Sequence, residues 1–156
     1  MPPKPVESKS RSASVRIRPA HHEDLASVYR LLDSAGLPSE GLSESNVTVY
    51  VSFDFDTLVA TAALEHYGQF GLLRSVCVHP ERRGQRTGRA MAAHVLQQAR
   101  TRGLERVFLL TETAAEFFSS MGFRPVDRRN VPEGVRASIE FATLCPESAV
   151  AMAHTF

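Results

Sequence analysis

Three strand-type runs follow one another between Val47 and Val78 with no room for a helix between them, and this succession constrains the fold more than any other feature. Val47 to Phe53 is β-branched and aromatic, Asp54-Phe55-Asp56 turns the chain, and Leu58 to Leu64 returns. Gly68 to Gly71 makes a second turn before the third run, Leu72 to Val78. Links this short join antiparallel neighbours, so the runs predict a meander. The third run has the apolar content of a central strand, covered on both faces.

Helical periodicity flanks this meander. Val15 to Arg18 alternates as a half-buried strand, which Pro19 is expected to end. Leu25, Val28, Leu31, Leu32 and Ala35 recur at helical spacing over His22 to Ala35, and Gly36 stops the helix. A loop marked by Pro38 and Gly41 leads to Asn46. After the meander, Met91, Ala92, Val95, Leu96 and Ala99 form the apolar stripe of a helix from about Thr87 to Arg102. A strand is predicted at Arg106–Leu110, a short helix at Ala114–Met121, and a strand at Phe123–Val126. A helical turn at Pro132–Ile139 and a last strand at Ala149–His154 complete the order. The class is α/β: a mixed, mostly antiparallel central sheet with helices on both faces.

With 156 residues, one core is expected. Residues 1–14 hold three prolines and four serines and almost nothing to bury, which predicts a disordered arm ahead of one domain over 15–156. No apolar run reaches the roughly 18 residues of a membrane helix, so no membrane partner is expected. Two cysteines, Cys77 and Cys145, fit a reducing cytoplasm and no disulfide scaffold. The six histidines lack a ligand spacing, which predicts no metal.

The net charge of +1 excludes a broad nucleic-acid surface, but it conceals an uneven distribution. Between Pro80 and Arg106 stand seven arginines and two glutamates, a local excess of +5 that leaves −4 elsewhere. This excess coincides with Val76-Cys77-Val78-His79-Pro80-Glu81-Arg82-Arg83-Gly84-Gln85-Arg86-Thr87-Gly88-Arg89, in which a strand feeds a glycine-containing turn and then a helix N-terminus. Aligned backbone N–H groups at such a turn suit a pyrophosphate. The same residues also fit an ordinary turn and a solvated arginine face. Neither the Walker spacing nor the three-glycine dinucleotide fingerprint is present.

The segment resembles the Gcn5-related N-acetyltransferases, the GNAT family, whose signature is Gln/Arg-x-x-Gly-x-Gly/Ala after a Val-x-Val-like strand end. Here it reads Arg83-Gly84-Gln85-Arg86-Thr87-Gly88 after Val76-Cys77-Val78, with Arg86 in place of the first signature glycine. The element order resembles that family from Val15 onward. The resemblance implies a GNAT fold with strands splayed at an acetyl-CoA site and acetyl transfer to an amine. It implies that Val76, Cys77 and Val78 hold the pantetheine arm and thioester, and that Arg83, Gly84, Gln85, Arg86, Thr87, Gly88 and Arg89 cradle the pyrophosphate. The Val78 N–H is the candidate donor to the developing oxyanion.

Direct transfer needs a neutral amine and hence a proton acceptor. The family's usual glutamate falls on Leu72 here, so Glu65 is the substitute candidate; a solvated strand end is its other reading. The family's tyrosine acid falls on Phe118, leaving Thr111 and Thr113 as candidate hydroxyls, with a helix N-cap the other use of Thr113. Leu109 to Ala114 and Gly122 to Asp127 resemble the acetyltransferase domain of N-acetylglutamate synthases. Gly71 to Val76 and Leu144 to Ala149 resemble the arsenic-resistance N-acetyltransferases. Both resemblances imply a small amino-acid-like acceptor, with Arg74 as a bidentate carboxylate partner beside Ser75 and Thr113. A surface or cofactor-facing arginine is the other reading of Arg74. A thiol–arsenic site at Cys77 and Cys145, a homodimer, a protein N-terminal or lysine acetyltransferase and a non-catalytic acetyl-CoA sensor complete the readings.

Overall fold

The computed structural model describes residues 16–144 and 147–156; the predicted arm, Val15 and Cys145 lie outside the described residues. The meander is present as β2 (Val47–Asp54), β3 (Thr57–Tyr67) and β4 (Phe70–Val78), paired antiparallel in succession. β3 runs three residues beyond the predicted Leu64, because the turn tightens to Gly68-Gln69 and Tyr67 pairs with Phe70. β1 (Arg18–Pro19) pairs with Tyr50 and Val51 at the sheet edge. The strand ends at Pro19 as expected, with Pro19 itself as its last paired residue, tolerated because one side of an edge strand makes no ladder bonds.

β5 (Arg106–Thr111) joins β4 in parallel, and β7 (Val150–Thr155) and β6 (Arg124–Pro125) follow antiparallel. The seven-stranded order is β1-β2-β3-β4-β5-β7-β6. The first helix, α1 (Leu25–Ser34), is shorter than predicted. Its first turn is a 3-10 turn, His22–Asp24, where the Asp24 carboxylate accepts from His21 N–H at 2.7 Å and from Arg18 Nη1 at 2.8 Å. α2 (Thr87–Thr101) matches its predicted span, and its buried face is the predicted Met91, Ala92, Val95, Leu96 and Ala99. α3 (Ala115–Ser119) and α4 (Glu133–Arg136) are short, and a π-helical turn, Glu140–Leu144, follows where no element was predicted.

The two faces carry different cores. α2 packs on Ala60, Ala62, Leu64 and Leu73, whereas α1 packs on Val49, Val51, Ala63 and Cys77. Leu72 and Phe108 carry the third cluster, under Val135 of α4 and Phe141 of the π turn. Burying a side chain of this size contributes roughly 1.5–3 kcal/mol, so each helix is anchored chiefly by its apolar stripe.

Candidate active site

Two irregularities in β4 open the sheet. β4 and β5 pair only through Phe70–Arg106, Gly71–Val107 and Leu72–Phe108; beyond these positions the strands part. On the other edge, Thr61 pairs with Cys77 but Ala63 pairs with Arg74, so Ser75 and Val76 together oppose Ala62. This is a β-bulge, and Ser75 sits in the left-handed region at φ +60°. The extra residue shifts the side-chain alternation. Leu72, Arg74 and Cys77 therefore share the α1/α4 face, while Val76 and Val78 pack toward α2.

A cleft of about 500 Å3 fills the gap between the parted strands, with Arg74, Ser75 and Val76 on one wall and Leu110, Thr111 and Thr113 on the other. A second cleft of about 340 Å3 lies between Val78, the turn Arg82–Gly84, and Arg86 to Arg89 at the start of α2. Val78 faces away from β3. His79 N–H donates to Val59 O at 2.8 Å, which makes Val78–Ala60 the pair that exchanges no bonds, so the Val78 N–H and C=O point toward the gap. Arg83 Nε donates to that carbonyl at 3.2 Å, and the N–H has no partner among the described residues.

The turn itself forms a cradle of backbone amides. Gly84 and Arg86 both have positive φ, at +83° and +64°. Arg86 is the N-cap of α2 but offers no side-chain bond, and the first return bond is Ala90 N–H to Arg86 O at 3.0 Å. The N–H groups of Thr87, Gly88 and Arg89 therefore find no acceptor among the described residues. Three open donors, a helix dipole and flanking arginines fit a phosphate group. Arg82 is paired with Asp54, and Arg89 Nη2 donates to Ser120 Oγ at 2.8 Å. Gln85 is exposed and does not line the cleft. Nor does Cys77 enter either cleft: it is buried under α1, its Sγ 4.0 Å from Leu31 O, and burial pushes its thiol pKa up.

The predicted acceptor residues are arranged differently from the expectation. Arg74 is not a surface arginine; it is 2% exposed. Its Nη1 donates to Glu65 Oε2 at 3.0 Å and Glu40 O at 2.7 Å, its Nη2 to Pro38 O at 3.3 Å, and its Nε to Ser75 Oγ at 3.1 Å. Only one N–H, on Nη2, remains for a bound carboxylate. Glu65 is likewise no solvated strand end: it is buried, engaged by Arg74, and accepts a bond from Tyr67. Burial and Glu65 push the Tyr67 phenol up to about 12. Thr113 does not cap the short helix that follows, whose N-cap is Ala114 with no side-chain cap bond; Thr111 Oγ1 instead accepts from Ala114 N–H at 2.9 Å in the turn before it. Both threonines still line the cleft, and Phe118 brings no hydroxyl to it.

Sequence reasoning missed Glu140, a cleft-lining carboxylate on the π turn. A lone charge within Ile139-Glu140-Phe141-Ala142 was the available signal. Burial raises this carboxyl to about 7, with Arg74 opposing and Glu65 adding to the rise.

The acetyltransferase (GNAT) domain model matches residues 45–125, which span the meander, α2 and the smaller cleft, while Gly36–Pro38, Glu140 and Leu144 of the larger cleft lie outside it. The chain belongs to the GNAT family. Its sheet order and parted central strands are this family's fold. The GNAT chain is 30% identical over 131 residues to the amino-acid acetyltransferase of Edwardsiella ictaluri, covering 78% of itself and 30% of that protein. It is 34% identical over 80 residues to the amino-acid acetyltransferase of Escherichia coli, covering 50% of itself and 18% of that protein. The chain thus spans only about a third or less of these relatives. Among solved structures it resembles N-acetylglutamate synthase from Neisseria gonorrhoeae in complex with coenzyme A and N-acetyl-glutamate, at TM-score 0.77 and 23% identity, covering 91% of this chain and 35% of that one. A Mycobacterium tuberculosis protein solved with CoA matches at TM-score 0.76 and 24% identity over 90% of this chain and 99% of that one. Among the described residues no helix is long and apolar enough to cross a membrane, and no three His, Cys, Asp or Glu side chains are grouped to hold a metal.

Proposed function

We propose that the protein transfers an acetyl group from acetyl-CoA to the primary amine of a small, amino-acid-like acceptor. The observation that carries this reading is the Val78 N–H, turned into the gap between β4 and β5, with Val76 lining the larger cleft and Val78 the smaller one. In the proposed complex the open amides of Thr87, Gly88 and Arg89, with the Arg83 and Arg86 charges, hold the pyrophosphate. The pantetheine arm runs along Val76 and Val78, and the acceptor occupies the Arg74–Thr113 cleft. An oxyanion forming on the thioester carbonyl is stabilised by a donor already in place, which removes the cost of reorganisation. The CoA thiolate is a fair leaving group, its thiol pKa near about 8.5. That property offsets the missing phenol at Phe118.

The acceptor class rests on relatives named for amino-acid acetylation. An arsenical amino acid belongs in the same class, supported by the resemblance of Gly71–Val76 and Leu144–Ala149 to arsenic-resistance acetyltransferases. Family resemblance supports a homodimer, and the two cysteines support a cytoplasmic location. A non-catalytic acetyl-CoA sensor is the second reading, favoured by Leu72, which is fully buried where relatives of the family carry a carboxylate.

Calorimetry with acetyl-CoA, followed by thiol release against amino acids, their decarboxylated amines and arsenical analogues, tests the proposal. Acceptor-dependent thiol release is the expected result. Tight binding without release from any amine favours the sensor, and absence of acetyl-CoA binding defeats both readings. Better turnover of an amino acid than of its decarboxylated amine would support a carboxylate contact through the remaining Arg74 N–H.

A further inference from the structure

We propose that Glu140 receives the acceptor's ammonium group and takes its proton, an inference that rests on the acetyl-transfer reading above. Glu140 is 5% exposed yet lines the larger cleft. Its Oε1 lies 3.4 Å from Arg74 Nε, but that N–H is directed at Ser75 Oγ, 3.1 Å away. The Glu140 carboxylate consequently accepts no hydrogen bond from any described residue. A buried carboxylate without a donor is unfavourable, and an entering ammonium would supply the missing bonds.

The contrast with Glu65 is what assigns the role. Glu65 is filled by Arg74 and Tyr67, and it already balances the single charge of Arg74. Glu140 is therefore the surplus negative charge of the cluster. The charged groups facing it are Arg74 from β4 and Glu65 from β3, with Glu112, beyond β5, lining the same cleft. A carboxyl raised toward neutral pH by such surroundings is an effective proton acceptor under ordinary conditions.

The acceptor enters as R–NH3+ and gives one proton to Glu140. The freed nitrogen pair attacks the thioester carbonyl carbon, the C–N bond forms, and the C–S bond breaks with its pair on sulfur. The second nitrogen proton goes to the thiolate, giving CoA–SH, and Glu140 returns its proton to water.

The test is kcat/KM against pH for wild type, Glu140→Gln and Glu140→Asp, using the best amine of the panel, with acetyl-CoA affinity and thermal unfolding measured alongside. The wild type should show a rising limb near neutral pH. Glu140→Gln should lose on the order of 100-fold at that pH, and the limb with it. Acetyl-CoA affinity and cooperative unfolding should be preserved. Glu140→Asp should restore the limb at reduced rate. Wild-type rates and an unchanged limb in Glu140→Gln would overturn the assignment. A wild type that releases no thiol with any amine defeats the transfer reading itself, and with it the role of Glu140.

Discussion

Arg74 Nη1 stands 3.0 Å from Glu65 Oε2, and both residues are 2% exposed. The pair ties β4 to β3, and through the Pro38 and Glu40 carbonyls it also pins the loop after α1 beside the larger cleft. Ionic groups this deep are held by their partners more than they stabilise the fold, so removing one exposes the other's desolvation cost. Arg74→Leu should lose about 3 kcal/mol or more of stability in urea unfolding. Adding Glu65→Leu should recover part of that loss, because the uncompensated charge disappears.

Arg86 occupies a left-handed position, φ +64°, where the family signature has glycine. A side chain in that region costs roughly 1–2 kcal/mol, partly offset by the greater freedom glycine has when unfolded. Arg86→Gly should therefore raise stability by up to about 1 kcal/mol in thermal unfolding. Calorimetry should show weaker acetyl-CoA binding in the same variant, because a cation leaves the phosphate cradle.

The Glu140 carboxyl is displaced from its ordinary 4.5 to about 7. Between those values the folded protein holds a proton that the unfolded chain has released. Its contribution is then present below about pH 4.5, declines as pH rises to about 7, and is flat above. The decline amounts to roughly 3 kcal/mol. Urea unfolding across this range should show the difference between wild type and Glu140→Gln changing with that sign; a difference that does not vary with pH would refute it.

Gly71 is the middle of the three residues through which β4 pairs in parallel with β5. A Cβ there would lie 2.9 Å from Leu64 Cδ1 and 3.0 Å from Leu104 Cδ1. Gly71→Ala should cost about 1–3 kcal/mol through overpacking. Unfolding midpoints measured beside Gly36→Ala, where the added carbon meets nothing within 4 Å but the positive φ still opposes it, separate crowding from backbone strain.

Much of this architecture was legible residue by residue. The meander followed from strand-type runs separated by short turns, and α2 from an apolar stripe whose five residues are all buried. The turn at Arg83–Gly88 lines a cleft at the start of α2, a geometry that consecutive residues set. The acceptor side was less legible. Ser75 and Val76 read as ordinary strand residues, yet the bulge they form reverses the alternation and sends Cys77 under α1. Glu65 and Arg74 read as separate candidates for base and carboxylate partner, yet each occupies the other.

What the sequence by itself determined is whatever depends on neighbours a few residues away: turns, apolar stripes, the glycine-containing cradle and its local excess of arginines. Only the tertiary structure decided where β4 leaves β5, and that Glu140, far along the chain, shares a cluster with Arg74 and Glu65. The physical reason is that a side chain's charge, partners and access are set by which distant segments exclude water from it. Burial makes Glu140 a strained acid and Glu65 a satisfied one, although the chain writes both as glutamate.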